Sequence, residues 1–469
     1  MSPTRSTVVI AFACAALAVT ADVSAQVGTG AEPASVRRPF RGLFGGPPDP
    51  RSPHSLVLTG SLFAAYDDNV LEAISTQPVD QPWLQTSGPY QGADAGLTYT
   101  FDKSSERIRF GGHADGVLRY YRHGDESDVQ PYSQAGVLLG VQVNRSLDFT
   151  ASQTVAYLSN YNLSLAPAID DLEGDVVEVP SGESVGTEPA TLGDSNLDLF
   201  GLEALRSSMA LGLTQRFGRN TSLSAGYYFR TLNMLEEQPA NSQFHDYRTQ
   251  SGSLRLVHSR VLTRSAQLQL GYGIRISDGR SRTGEPDVMH DVIATVNYSK
   301  ALSFSRRTSF SFGTGSAIAV NDSVNVPESE ATTKVRLVGN ASLIHEMGRT
   351  WTAQLNYARG YLTRDGFTDM YFTDGISAGL SGLITRKLSL SNGAQWSTSS
   401  LENQGNNGHR GVSASSQATY ALTRNLGLFA NYVYYRYRYD EGVPLDPRFP
   451  RRLDRQGIRV GLTTSLRLF

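Results

Sequence analysis

Cysteine is all but missing from this chain of 469 residues: Cys14 is the only one, and it lies in an N-terminal apolar run. A disulfide framework, thiol chemistry and a thiolate metal site are therefore excluded for everything that follows it. Long hydrophobic stretches are missing too. The longest, "TVVIAFACAALAVTA", falls short of the ~20 residues a helix needs to cross a bilayer, and no later segment comes close. Net charge is nearly absent at -2, so nothing in the overall balance asks for nucleic acid or another polyanion as partner. Neither a phosphate-cradling glycine loop nor a metal-ligand spacing occurs, and no cofactor or metal is expected.

What is plentiful is Gly 45, Tyr 22 and Phe 19, against Met 6 and Trp 3, with runs of Ser and Thr. That is the usage of a β-rich protein. Arg5, the apolar run and "VSA" before Gln26 form the pattern of a cleaved export signal over residues 1–25. Residues 26–53 are rich in Pro, Gly and Arg without apolar periodicity and read as a mobile periplasmic leader, a short plug or docking arm being the alternative.

From Leu56 onward apolar residues alternate with period two, the mark of strands between two different environments. In "AQLQLGYGIRI", Ala266, Leu268, Leu270, Tyr272, Ile274 and Ile276 share one face, with Gln267, Gln269, Gly271, Gly273 and Arg275 on the other. About 18 such segments follow one another, each about ten residues or longer. Brief turns such as "GRN", "TRK" and "TRN" alternate with longer polar segments such as "RHGDESDV", "NDSVNVPESE" and "DEGVPLDPRFP". The fold expected over residues 54–469 is an all-β transmembrane antiparallel up-and-down barrel, with short periplasmic turns and long extracellular loops. Closure leaves no unpaired strand edge in lipid. The apolar set then faces lipid, and Tyr66, Phe101, Tyr120, Phe217, Trp351 and Tyr420 form interfacial girdles.

The opposite parity lines the interior. It carries Arg107, Arg109, Arg119, Arg206, Arg216, Arg230, Arg255, Arg275, Lys334, Arg336 and Arg459, with Asp94 and Asp115 the clearest acids. These cations either bias a wide aqueous pore toward anions or acidic sugars or hold the wall together through their fork-shaped donors. The segment 159–200 contains Asp170, Asp171, Glu173, Asp175, Glu178 and further acids without one Lys or Arg. It is expected either to fold inward as a constriction loop against the basic wall or to stay outside as a hydrated surface loop that binds divalent cations loosely. His113 with Asp115, and His245 with Asp246, are the nearest approach to a catalytic arrangement; no nucleophile stands beside either, so no enzyme is expected.

"NYVYYRYRYDEG" alternates Tyr435, Tyr437 and Tyr439 with Arg436 and Arg438. Lumen-facing arginines and lipid-facing phenols require a bulge near Tyr434, because Leu426, Leu428 and Ala430 set the opposite parity lower on the strand. Without the bulge the arginines point outward, at a height where they meet lipid phosphates.

The opening "LTGSLFAAYDDNVL" resembles that of the β-barrel porin 2 family, in which an alternating strand leads into Tyr-Asp-x-Asn-Val, here Tyr66, Asp67, Asp68, Asn69 and Val70. The resemblance implies an outer-membrane pore, in some members associated with exopolysaccharide export, and brings no catalytic residues. The terminal Phe469 resembles the aromatic signal read by the barrel-assembly machinery, although Ile458, Val460, Leu462, Leu466 and Leu468 take the opposite parity. The expected function is a pore in the outer membrane of a Gram-negative-type bacterium for small polar solutes or secreted polysaccharide. Its expected partners are outer-membrane lipid, lipopolysaccharide, the barrel-assembly machinery and polysaccharide-export components. The rival is a non-conducting structural or adhesive barrel that works through its acidic loops.

Overall fold

The computed structural model describes residues 54–70, 88–102, 107–123, 126–158, 203–235, 246–259, 266–279, 287–302, 305–321, 333–348, 350–362, 371–401, 408–441 and 451–468. They form eighteen strands: β1 (His54–Val70), β2 (Gly88–Asp102), β3 (Ile108–His123), β4 (Glu126–Asn144), β5 (Leu147–Leu158), β6 (Ala204–Phe217), β7 (Thr221–Met234), β8 (Tyr247–Ser259) and β9 (Ala266–Gly279), then β10 (Asp287–Leu302), β11 (Ser305–Asn321), β12 (Thr333–Met347), β13 (Trp351–Leu362), β14 (Tyr371–Leu383), β15 (Leu388–Leu401), β16 (Gly408–Ala421), β17 (Leu426–Tyr439) and β18 (Arg452–Arg467). Each pairs antiparallel with its chain neighbours, and β1 pairs with β18, so the sheet closes into an 18-stranded barrel. The shortest strands have 12 residues, which at ~3.3 Å per residue and ~40° tilt gives ~30 Å of height, enough for the ~25 Å apolar band of such a barrel.

Short turns collect at one end, and sequence chemistry explains their shape. The Asn144 side chain accepts from the Ser146 and Leu147 backbone N–H groups at 2.8 and 2.9 Å, closing the β4–β5 turn. Thr385 and Thr423 do the same for the β14–β15 and β16–β17 turns, each accepting from the backbone N–H groups two and three residues on. "TRK" and "TRN" are thus one device used twice. Gly218 and Gly348 take φ values of +71° and +64° in the β6–β7 and β12–β13 turns, where a side chain would strain the backbone. His54 pairs with Phe101 and Val57 with Arg467, so the first and last strands meet the short turns at this end.

The opposite end carries the longer connections, among them residues 71–87 and 322–332. One expected long connection is not there. "RHGDESDV" is mostly strand, since the β3–β4 ladder continues to His123 opposite Glu126 and leaves only residues 124–125 between. Its charged residues extend the strand pair beyond the apolar band, a length that hydropathy cannot register.

Directly paired residues share a face, so the register assigns every side to its wall. Leu62, Leu118, Leu254, Leu270, Leu355 and Leu462 are all exposed on the outer wall, which makes a continuous apolar belt of the kind that lipid covers. Tyr66 and Tyr120 stand on that wall toward the long-loop end, and Phe217 and Tyr420 toward the short turns, all exposed. Trp351 is fixed there by its indole N–H, which donates to the Leu383 carbonyl at 2.9 Å. The "AQLQLGYGIRI" face is as expected, with Leu270 and Tyr272 exposed and Arg275 buried.

The expected bulge near Tyr434 is absent. Pairing runs unbroken from His409–Tyr439 to Ala421–Gly427 on one side of β17 and from Leu426–Thr464 to Arg438–Arg452 on the other. Tyr435, Tyr437 and Tyr439 therefore face inward and are buried, while Arg436 and Arg438 face outward. The reason is height: these positions lie above the apolar belt, where an outward guanidinium meets a wet interface and needs no reversal of the strand.

Candidate functional site: the barrel interior

An 18-stranded barrel is wide enough for an aqueous lumen, so the inner wall is the surface on which function is to be sought. Its middle is mostly uncharged and polar, with Asp94, Asp115 and Arg459 the charged groups there. The Ser342 hydroxyl donates to Asn356 Oδ1 at 2.7 Å, and Asn356 Nδ2 donates to Ser377 Oγ at 3.3 Å, joining β12, β13 and β14. Asn297 Nδ2 donates to Gln269 Oε1 at 3.3 Å, and the Thr214 and Ser224 hydroxyls are hydrogen-bonded to each other at 3.0 Å. Such ladders satisfy side chains across strands while leaving faces that water can wet.

Cations cluster toward the two mouths. Arg119, Arg206, Arg230, Arg275 and Arg336 lie within four residues of the long-loop ends of β3, β6, β7, β9 and β12, on the inward parity. Arg107, Arg109, Arg216 and Arg255 lie on the same parity near the short-turn end. Arg459 is the one near mid-height. Its Nε donates to the Tyr90 hydroxyl at 3.0 Å, and its guanidinium carbon stands 5.6 Å from the centre of the Phe63 ring.

The arginines differ in exposure. Arg119 and Arg275 are only 6% and 7% exposed. Arg107 and Arg336 are exposed, and the Arg336 guanidinium carbon lies 5.2 Å from the Phe372 ring centre. Arg216 forms an ion pair with Asp148 at 2.5 Å, and Arg107 reaches the Val143 carbonyl at 3.5 Å. Arg109, Arg119, Arg230, Arg255, Arg275 and Arg336 each hold a further polar, charged or ring contact. Most of these cations are thus anchored in the wall, and a guanidinium keeps its positive field when it is hydrogen-bonded.

Acids are fewer. Asp94 accepts from the Ser61 hydroxyl across β1 and β2. His113 shares the inward face with Asp115 and approaches Gln134 Nε2 at 3.4 Å, its ring lying in the space that Gly136 leaves open. Asp246 caps the Met234 N–H at 2.9 Å. Among the described residues no three His, Cys, Asp or Glu side chains gather as a metal site would require. The Lys334 side chain, His245, and the acids Asp170, Asp171, Glu173, Asp175 and Glu178 lie outside the described residues, as do residues 1–53 and Phe469.

Two inner clusters escaped the sequence reading. Phe63, Ala65 and Tyr90 are buried together, with Val117 and Phe429 packed against them. Phe63 fits because Gly92 faces it; a Cβ there would overlap its ring. Toward the long-loop end, Tyr437 is fully buried between Tyr435 and Tyr439, whose ring centres lie 5.9 and 5.5 Å away. His409 stacks on Tyr439 at 5.4 Å and bonds to the Ser399 hydroxyl. The parity of Leu426 and Leu428 was the signal for these tyrosines, had it been carried unbroken through Tyr434.

No family model matches the chain, and no curated protein matches it in sequence. Solved structures of similar overall shape include the OccAB4 protein of Acinetobacter baumannii, 10% identical, covering 90% of this chain and 100% of that one with a TM-score of 0.44. The outer membrane protein OpdK of Pseudomonas aeruginosa is 11% identical, covering 88% and 98%, with a TM-score of 0.43. The FrpB iron transporter of Neisseria meningitidis is 9% identical, covering 88% and 83%, with a TM-score of 0.44. At these scores neither cargo nor mechanism carries across, and the barrel assignment stands on this chain's own strand pairing.

Proposed function

We propose that this chain is an outer-membrane pore through which small polar solutes diffuse, with a preference for anions. The observation that carries the reading is the division of its two walls: a closed 18-stranded sheet, apolar outside and polar inside, with arginines toward both mouths. A solute entering at either end meets fixed positive charge, then a wall mostly of Ser, Thr, Asn and Gln in which Asp94, Asp115 and Arg459 are charged. Charge at a constricted, low-dielectric mouth raises the local concentration of counter-ions and selects for their sign. No catalytic step belongs to the proposal.

Planar bilayers test it. The purified chain should give steps of conductance, and in a potassium chloride gradient the reversal potential should take the sign of chloride preference. A closed barrel that never conducts overturns the reading and favours the structural or adhesive alternative. The buried Thr373, Ser397, His409 and Tyr437 on one inner sector favour that alternative to the extent that this part of the lumen is filled. The resemblance to β-barrel porin 2 proteins supports secreted polysaccharide as a second cargo, and exclusion of sized neutral polymers from the open pore checks it.

A further inference from the structure

We infer that the outer wall at the long-loop end of β16, β17 and β18 is a binding site for the phosphate groups of a phosphorylated glycolipid in the outer leaflet. Arg410, Arg438 and Arg452 stand directly opposite one another across the three strands. All three are exposed, on the outward face shared with Leu428, Val460 and Leu462. Arg436 lies two positions below Arg438 on the same face.

Like charges directly opposed across strands repel, and an exposed row of three is a poor choice for stability alone. The one acid placed among them on this face in β18, Asp454, is already engaged. It accepts from the Tyr434 hydroxyl at 2.7 Å and pairs with Arg436 Nε at 3.7 Å. Among the described residues of β16, β17 and β18 this face thus sets four guanidiniums against one carboxylate; Asp440, just beyond β17, accepts from the Gly408 N–H at 3.1 Å, and Arg452 holds a further contact. Guanidinium forks suit phosphate oxygens, taking them two at a time.

Position selects a lipid as the occupant over a free anion. Reading upward on this face, Leu426, Leu428 and Ala430 give way to Tyr432 and Tyr434, then to Arg436 and Arg438. Tyr432 donates its hydroxyl to Gln456 at 3.1 Å, marking the level where the wall becomes wet. From Tyr432 to Arg438 is about 20 Å along the strand, or about 15 Å of height after tilt. An amphiphile whose chains lie on the aliphatic belt thus places its headgroup phosphates against the arginine row. The site depends on seating in an outer membrane but not on conduction, so it can fail while the pore reading holds.

The test uses the full chain purified in neutral detergent, with lipopolysaccharide and the same material stripped of phosphate as probes. The wild type should retain the phosphorylated form through gel filtration and bind the stripped form about tenfold or more less tightly. R410Q combined with R438Q should lose about the same factor, while bilayer conductance stays unchanged. R248Q, at an outward arginine of β8, serves as the control and should bind as wild type. Equal retention by the double variant, or equal binding of the stripped glycolipid, overturns the site. Competition by inorganic phosphate alone at about equimolar concentration overturns the lipid assignment, because independent anions would then suffice. Heat-modifiable mobility on gels confirms that each variant is folded.

Discussion

At Arg216 an ion pair binds β6 to β5 near the short turns, with side-chain exposures of 31% and 15% for Arg216 and Asp148. Arg216→Ala removes the ion-paired partner of that part-buried carboxylate and leaves it Arg109 and Gln142. A loss of about 1–2 kcal/mol is expected in urea unfolding from micelles, discounted for partial solvent access. At Gly92 the limit is space instead of charge. Gly92→Val drives a side chain into the Phe63 ring, and a loss of about 1–3 kcal/mol should follow in the same assay. Neither site announces itself in the sequence: Asp148 and Arg216 are 68 positions apart, and a glycine at strand period looks like any other small inward residue.

Strand β17 joins two walls with opposite demands, and its substitutions should separate them. Tyr437 is fully buried, so Tyr437→Ala opens a cavity and should cost about 3 kcal/mol or more. Arg438 is exposed on the outer wall, so Arg438→Ala should change stability by less than about 0.5 kcal/mol. Equal effects would mean that the strand's register is shifted by one residue. The mouths are likewise an element-scale property. Replacing Arg206, Arg230 and Arg336 together by Gln removes three cations toward the long-loop mouth, and the reversal potential should move toward that of a non-selective pore. For the acidic segment 159–200, the constriction reading requires that deleting residues 165–195 raise single-channel conductance; unchanged conductance would place it outside the pathway.

Across the whole molecule, strand number, closure and the division between apolar and polar walls were all legible before any coordinates. Period two over eighteen segments leaves few other architectures, and short turns alternating with longer segments order the two ends. Which neighbours each arginine shares a face with was legible for the same reason, although the direction of Arg436 and Arg438 was not. What stayed hidden was which of them are anchored, because Arg459 with Tyr90, or Arg336 near Phe372, depends on contacts between strands distant in sequence. Selectivity itself is a whole-molecule quantity, since the field at a mouth sums charges from many strands. Raising salt from about 0.1 M to about 1 M shortens the screening length from ~10 to ~3 Å, and anion preference should weaken accordingly.

"NYVYYRYRYDEG" divides the two kinds of information most sharply. The sequence by itself determined that Tyr and Arg occupy opposite faces, because a strand alternates its side chains whatever surrounds it. Only the tertiary structure decided which face is which. That choice depends on unbroken pairing with β16 and β18 and on the height of these residues above the apolar belt, where an outward arginine is solvated and an inward tyrosine finds His409 to pack against.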